Sequence, residues 1–237
     1  QRLHALGVFL GRALQAHPGI QLHAAVQMSN HIHLVLTDTQ GELDRFMERF
    51  LGPLAKALNA IDAVHGQVFE RRYAATEILD DDALLDRIVY TVTNPAAADL
   101  VAALDEWPGL CLGPGGQEEA SFQRFRKPAY DRALRAAGGD PSAVRREDFL
   151  EIVPVHIHLP QLDGDRNVRG EVSRAVGQRL EKLAHKRGAK RVLGTQKVLT
   201  QKVQDAPERP KRSPMPLCHA SDPNLWLAFR DAWHDFV

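Results

Sequence analysis

Ile20, Leu22, Ala24, Val26 and Met28 alternate with polar or small residues, a period of two that fits only a half-buried strand. Ser29-Asn30 follows as a two-residue turn signal, and His31 to Thr37 reads as a second strand, antiparallel to the first. Helical periodicity surrounds this pair, so the expected class is α+β. Leu3, Leu6, Leu10 and Leu14 recur at helical spacing until His17-Pro18-Gly19 stops them. Glu42 to about Ala63 reads as a long helix with Leu43, Phe46, Met47, Phe50, Leu54 and Leu58 on one side and a candidate kink at Gly52-Pro53. Val68 to Ile78 reads as a further strand containing Arg71-Arg72-Tyr73. Asp80 to Asp82 offers an N-cap for a helix from about Ala83 to Thr93, and Asn94-Pro95 looks like the start of another through Leu104.

The second half differs in charge. Residues 1–120 carry 8 Lys+Arg and 16 Asp+Glu, whereas residues 121–237 carry 22 and 14, so zero net charge hides a half at −8 and a half at +8. A basic half can hold a polyanion and an acidic half can host a cation. Ordinary solvated surface charge accounts for the same counts. Residues 113–120, rich in glycine, look like a linker at the change of charge. Phe149 to Leu159 contains a strand-like run, Val168 to Lys186 is an Arg-rich helix candidate, Ala206 to Pro216 is Pro-rich and basic, and Leu225 to Phe236 is a short amphipathic helix. The expected organisation is a domain over 1–112, a linker over 113–120 and a basic, mostly helical region over 121–237. No stretch approaches the roughly 20 apolar residues of a membrane span. Cys111 and Cys218 lie far apart without metal-ligand spacing, which fits a reducing cytoplasm.

Strand side chains alternate, so His31 and His33 project to one side, and Ile32, Leu34 and Leu36 to the other, into the core. Two imidazoles so placed can reach one metal ion. The pattern is weak alone: Val155-His156-Ile157-His158-Leu159 repeats it between two prolines and reads as a strand with an exposed polar face. Tyr90 and Asn94 are four residues apart and share a face if one helix carries both. A phenol is a poor nucleophile while protonated, with an ordinary pKa of about 10. A metal-bound phosphate favours the phenolate and the transition state together. A half-buried helix tyrosine and an N-cap asparagine before proline account for the same two residues.

The run Met28-Ser29-Asn30-His31-Ile32-His33-Leu34-Val35-Leu36 resembles the His-hydrophobic-His (HUH) region of bacterial REP-associated tyrosine transposases. Tyr90-Thr91-Val92-Thr93-Asn94-Pro95 resembles their tyrosine helix, and Val68-Phe69-Glu70-Arg71-Arg72-Tyr73 their aromatic, Arg-rich strand. Order and spacing match over roughly residues 1–110. The resemblance implies a ferredoxin-like antiparallel sheet with helices, of the HUH endonuclease type, whose usual first strand would lie upstream of residue 1. It implies cutting and rejoining of single-stranded DNA beside palindromic hairpins, with Mg or Mn. Carried over by position, His31 and His33 are metal ligands, Asn94 matches a further ligand and Tyr90 is the nucleophile. Ala96-Ala97-Ala98 replace the family's usual basic residues after Asn-Pro, which favours the alternative of a hairpin-binding protein that no longer cuts.

DNA affinity rests on Lys and Arg at phosphates. Arg71 and Arg72 are the candidates near the expected site. Lys186, Arg187, Lys190 and Arg191, continuing through Lys197, Lys202, Arg209 and Lys211-Arg212, form a long basic stretch without aromatics that suits hairpin stems. One nucleophilic tyrosine per chain points to a homodimer for a full excision cycle, or to sequential use of one site. The expected setting is the cytoplasm, at the nucleoid.

Overall fold

Along the chain run α1 (Arg2–Ala16), β1 (Ile20–Gln27), β2 (Ile32–Asp38), α2 (Leu43–Asp62), β3 (Glu77–Ile78), α3 (Asp81–Val92), α4 (Asn94–Ala97) and β4 (Cys111–Leu112). They are followed by β5 (Glu119–Phe125), α5 (Lys127–Ala136), β6 (Leu150–His156), α6 (Val168–Arg187), α7 (Thr195–Thr200), β7 (Cys218–His219) and α8 (Pro223–Phe236). The structure is a computed structural model and describes residues 1–69, 71–201 and 216–236. Glu70, Lys202, Arg209, Lys211, Arg212 and the Pro-rich stretch before Pro216 lie outside the described residues. The architecture is mixed α+β. One sheet has the order β2-β1-β4, and β5 pairs with β6 and β3 with β7. The β1–β4 and β5–β6 pairs are antiparallel, the short β3–β7 pair parallel. Among the described residues no helix is long and apolar enough to cross a membrane.

Two compact units are drawn from interleaved segments. One takes Gln1–Ile20, Asp38–Phe69 and Glu119–His156; the other takes Gln21–Thr37, Glu70–Glu118 and Ile157–Val237. The chain crosses between them at Glu118, inside the Gly-rich stretch, yet residues before it contribute to both. That stretch is itself ordered: the Gly113 N–H donates to the Gln117 carbonyl at 2.9 Å, and Glu119-Ala120 already pair with β6.

In the first unit α1 buries Leu6 and Leu10, and α2 buries Phe46, Phe50 and Leu54. The helices pack together, and Arg2 pairs with Asp62 across them at 2.6 Å. α2 runs through Pro53 without ending. The opposite side of α1 meets the antiparallel β5–β6 pair at its two interior glycines. A Cβ at Gly7 would lie 2.2 Å from the Phe122 ring, and one at Gly11 would lie 2.6 Å from the Pro154 carbonyl oxygen.

The second unit is built on the first hairpin. The Met28 N–H donates to the His31 carbonyl at 2.8 Å, which closes the Ser29-Asn30 turn. β1 is the central strand, and its residues from Leu22 to Val26 are all buried. Ala24 and Val35 pack with Leu85, Ile88, Val89 and Val92 of α3 and with Val168, Val172 and Val176 of α6. Val26 and Met28 pack with Val101 and Trp107, whose indole N–H donates to the Gln27 carbonyl at 3.0 Å.

Three expectations are corrected here. Among the described residues of Val68 to Ile78 only Glu77–Ile78 is paired as a strand, because its partner is the two-residue β7. The helix at Asn94 stops at Ala97, where Asp99 takes a left-handed φ of 55° and turns the chain. The second histidine pair does not share a strand, since β6 ends at His156. His156 pairs with Glu119 at 3.3 Å, and His158 lies in the following segment, where its N–H donates to the Leu22 carbonyl at 2.6 Å.

His23 is 1% exposed within this second unit. Its Nδ1 donates to the His158 carbonyl at 2.6 Å and its Nε2 accepts from the Thr37 hydroxyl at 2.8 Å, which fixes the neutral tautomer. Burial holds its pKa below the usual 6.5. The unfolded chain therefore binds a proton that the folded chain refuses, so this residue's contribution to stability is complete above about pH 6.5 and declines as pH falls below it. The urea midpoint is expected to drop between pH 7 and pH 5, and to drop less in His23→Gln. Equal pH dependence in the two proteins would remove His23 from this account.

Candidate active site

α3 is held at both ends, which fixes the turn that carries Tyr90. At its start the Asp80 carboxylate accepts from the Ala83 N–H at 2.8 Å and from the Ser221 N–H and hydroxyl at 2.6 Å. Asp81 and Asp82 complement the positive end of the helix, and Arg166 pairs with Asp82 at 2.9 Å. At its end the buried Thr93 hydroxyl donates to the Val89 carbonyl at 2.6 Å, and the Cys111 thiol to the Val92 carbonyl at 3.4 Å.

His33 and Val35 share one face of β2 by strand alternation. Val35 is 5% exposed in the cluster with α3, whereas Ile32, Leu34 and Leu36 are only half-buried. This corrects the expectation that those three face the core and the histidines face away from it. The histidine face is the one that α3 covers, and so a tyrosine of α3 can reach it. The His31 and His33 ring centroids are 4.8 Å apart at 88°. Tyr90 meets His33 edge-on at 6.0 Å. The Arg87 guanidinium, one turn earlier on α3, lies 5.0 Å from the Tyr90 ring centroid, and that of Arg179 on α6 lies 5.4 Å away.

Loss of water around the rings lowers both histidine pKa values, and the neighbouring His31 helps push His33 down to about 4. Both imidazoles are therefore neutral at neutral pH, the form that binds a cation. The His31 Nδ1 donates to the Asn30 carboxamide oxygen at 2.7 Å, which leaves its Nε2 lone pair free. Among the described residues no group of three or more His, Cys, Asp or Glu side chains is arranged to hold a metal ion. Two neutral imidazoles fit an ion such as Mn or Mg whose remaining ligands are water and phosphate oxygens.

Asn94 opens α4 two residues past the end of α3 and is half-buried; its carbonyl accepts from the Ala98 N–H at 3.0 Å. Among the described residues its side chain makes no hydrogen bond to His31, His33 or Tyr90. Arg71 and Arg72 are exposed in the non-strand segment before β3, where the Arg72 guanidinium lies 5.9 Å from the Tyr73 ring. Lys186 is exposed in the last turn of α6, and Arg191 is exposed beyond it. Arg187 and Lys190 instead reach Asp99, at 3.9 and 2.8 Å, and tie the end of α6 to the turn after α4. The sequence reading missed Arg87 and Arg179. Their helices were legible, but which arginines of an Arg-rich helix face a tyrosine depends on how α3 and α6 pack.

Comparison with protein-family models, with curated proteins and with solved structures finds no match to this chain.

Proposed function

We propose that the chain is a metal-dependent strand transferase for single-stranded DNA, of the REP-associated tyrosine transposase type, acting near DNA hairpins at the bacterial nucleoid. In this reading the β2-β1-β4 sheet and α3 form the catalytic part of a ferredoxin-like HUH fold. One observation carries it: the Tyr90 phenol, the His31–His33 pair and two guanidiniums converge in one compact unit.

Tyr90 Oη attacks the phosphorus of a phosphodiester. The P–Oη bond forms, the P–O3′ bond breaks, the phenolic proton leaves to solvent and the departing 3′ oxygen takes up a proton. The product is a 5′-phosphotyrosine and a free 3′-hydroxyl, and attack by another 3′-hydroxyl reverses the step and rejoins the strand. His31 and His33 would hold Mg or Mn, with Asn94 as a further candidate ligand, and the ion when bound supplies Lewis-acid charge at the phosphate oxygens. The His33 edge orients the phenol, and Arg87 and Arg179 place guanidinium charge beside its ring for the negative charge of the attacked phosphate. One nucleophile per chain supports a homodimer for a complete excision cycle.

The test is an SDS-stable protein–DNA adduct with a hairpin-bearing oligonucleotide and Mn, absent in Tyr90→Phe. Failure of the native chain to form any adduct, with hairpin binding intact, would assign it to binding without cutting. The metal site has its own check: His31→Ala/His33→Ala is expected to weaken Mn binding at least on the order of 10-fold by calorimetry. Unchanged affinity would remove the histidines from the site.

A further inference from the structure

Arg179 holds a donor without a use. Its Nε–H is buried and has no hydrogen-bond partner, and its guanidinium sits over Tyr90. A buried charged donor left unpaired is costly, and an anionic acceptor is its natural complement. The same side chain lines a cavity of about 510 Å³ between α3 and α6, floored by Leu85 and Val89. Arg174 and Lys182 lie on the same wall, eight residues apart and so on one face of α6. Two carboxylates also line the cavity, and both have cationic partners: Glu171 pairs at 2.6 Å with Arg166, which also pairs with Asp82, and Asp86 pairs with Arg87. Among the described residues no carboxylate forms an ion pair with Arg174, Arg179 or Lys182. Three cations against two carboxylates leave the lining with a positive excess, and one of the three, Arg179, reaches the Tyr90 ring.

We propose that this groove binds the phosphodiester backbone of the strand that leads to Tyr90, with Arg179 donating to a nonbridging oxygen of the phosphate under attack. The assignment of that phosphate rests on Tyr90 being the nucleophile; the groove's affinity for the strand does not. Arg174 and Lys182 contact neighbouring phosphates along α6. Apolar Leu85 and Val89 keep water from the inner side of the strand, where the Arg179 charge acts at low screening.

Two measurements on the full chain test this. In a Tyr90→Phe background, binding of a fluorescent single-stranded 20-mer is followed by anisotropy from 50 to 200 mM salt. Arg174→Ala/Lys182→Ala is expected to weaken binding roughly 10-fold and to reduce the salt slope by about 1.4, at about 0.7 per lost phosphate contact. Thermal melting of each variant confirms that it is folded. An unchanged slope in a folded variant overturns the groove. So does inorganic pyrophosphate competing as well as DNA at equal ionic strength, since the site would then be one for free anions. With Tyr90 intact, Arg179→Ala is expected to slow adduct formation by on the order of 100-fold, with Arg179→Lys restoring part of the rate. Native adduct rates in Arg179→Ala overturn its role at the phosphate and leave the Tyr90 reading standing. A changed salt slope without any adduct from the native chain does the reverse.

Discussion

Replacing Tyr90 by phenylalanine is expected to abolish covalent capture of single-stranded DNA while leaving noncovalent binding within about 2-fold of native. Removing a nucleophile from a concerted site costs on the order of 10³-fold or more, which takes the adduct below detection. The substitution deletes one oxygen and keeps the ring. The edge contact to His33 at 6.0 Å and the two cation–ring contacts at 5.0 and 5.4 Å therefore persist. Tyr90 is half-buried, and the buried contacts of α3 come from Leu85, Ile88, Val89 and Val92, so the fold is expected to hold. The measurement pairs an SDS-gel adduct assay in Mn with anisotropy binding of the same oligonucleotide. An adduct of native yield from Tyr90→Phe would sink Tyr90 as nucleophile. Loss of binding in parallel would show that the phenol holds DNA rather than cutting it.

Gly11→Ala is expected to destabilise the protein, against the usual direction for a helix interior. Glycine to alanine within a helix ordinarily gains about 1 kcal/mol. Here a Cβ would sit 2.6 Å from the Pro154 carbonyl oxygen and 2.6 Å from Val153 Cγ1. The carbonyl belongs to β6, which is paired along its length with β5, so the backbone has little room to yield. Overpacking of this kind costs about 1–3 kcal/mol. Net of the propensity gain, that lowers the melting temperature of a chain of this size by up to roughly 8 °C, readable by circular dichroism. Gly7→Ala meets the Phe122 ring instead, and a side chain can rotate where a carbonyl cannot, so its cost is expected to be smaller. A higher melting temperature for Gly11→Ala would mean that α1 does not lie on the β5–β6 pair.

Local pattern accounts for the elements that bury a continuous stripe. The alternation from Ile20 to Met28, the Ser29-Asn30 turn and the heptad-like leucines of α1 each specify their element within a few residues, because the period alone decides which side chains can be buried together. Val68 to Ile78 failed for the complementary reason. A strand needs a partner's backbone as well as a suitable composition. Among the described residues the only partner there is Cys218-His219, far along the chain and two residues long. The helix expected through Leu104 failed at Asp99, where one left-handed residue outweighs the helix-forming alanines before it. Residues 113–120 have the composition of a linker, yet Glu119 and Ala120 are drawn into β5 by the register with His156 and Val155.

The sequence by itself determined that His33 lies on a strand, with His31 just before it, and that Tyr90 lies on a helix, since both follow from local periods of two and of 3.6 residues. Only the tertiary structure decided that α3 lies over the His33 face of that strand. Alternation makes two faces but does not say which one a helix will cover. Val35, buried against α3 by the apolar contacts of Leu85, Ile88 and Val89, makes that choice and brings the phenol to the imidazoles. Arg179 joins them by the same physics: Val168, Val172 and Val176 bury one side of α6 against α3, and the arginine on the turn beyond is left over Tyr90.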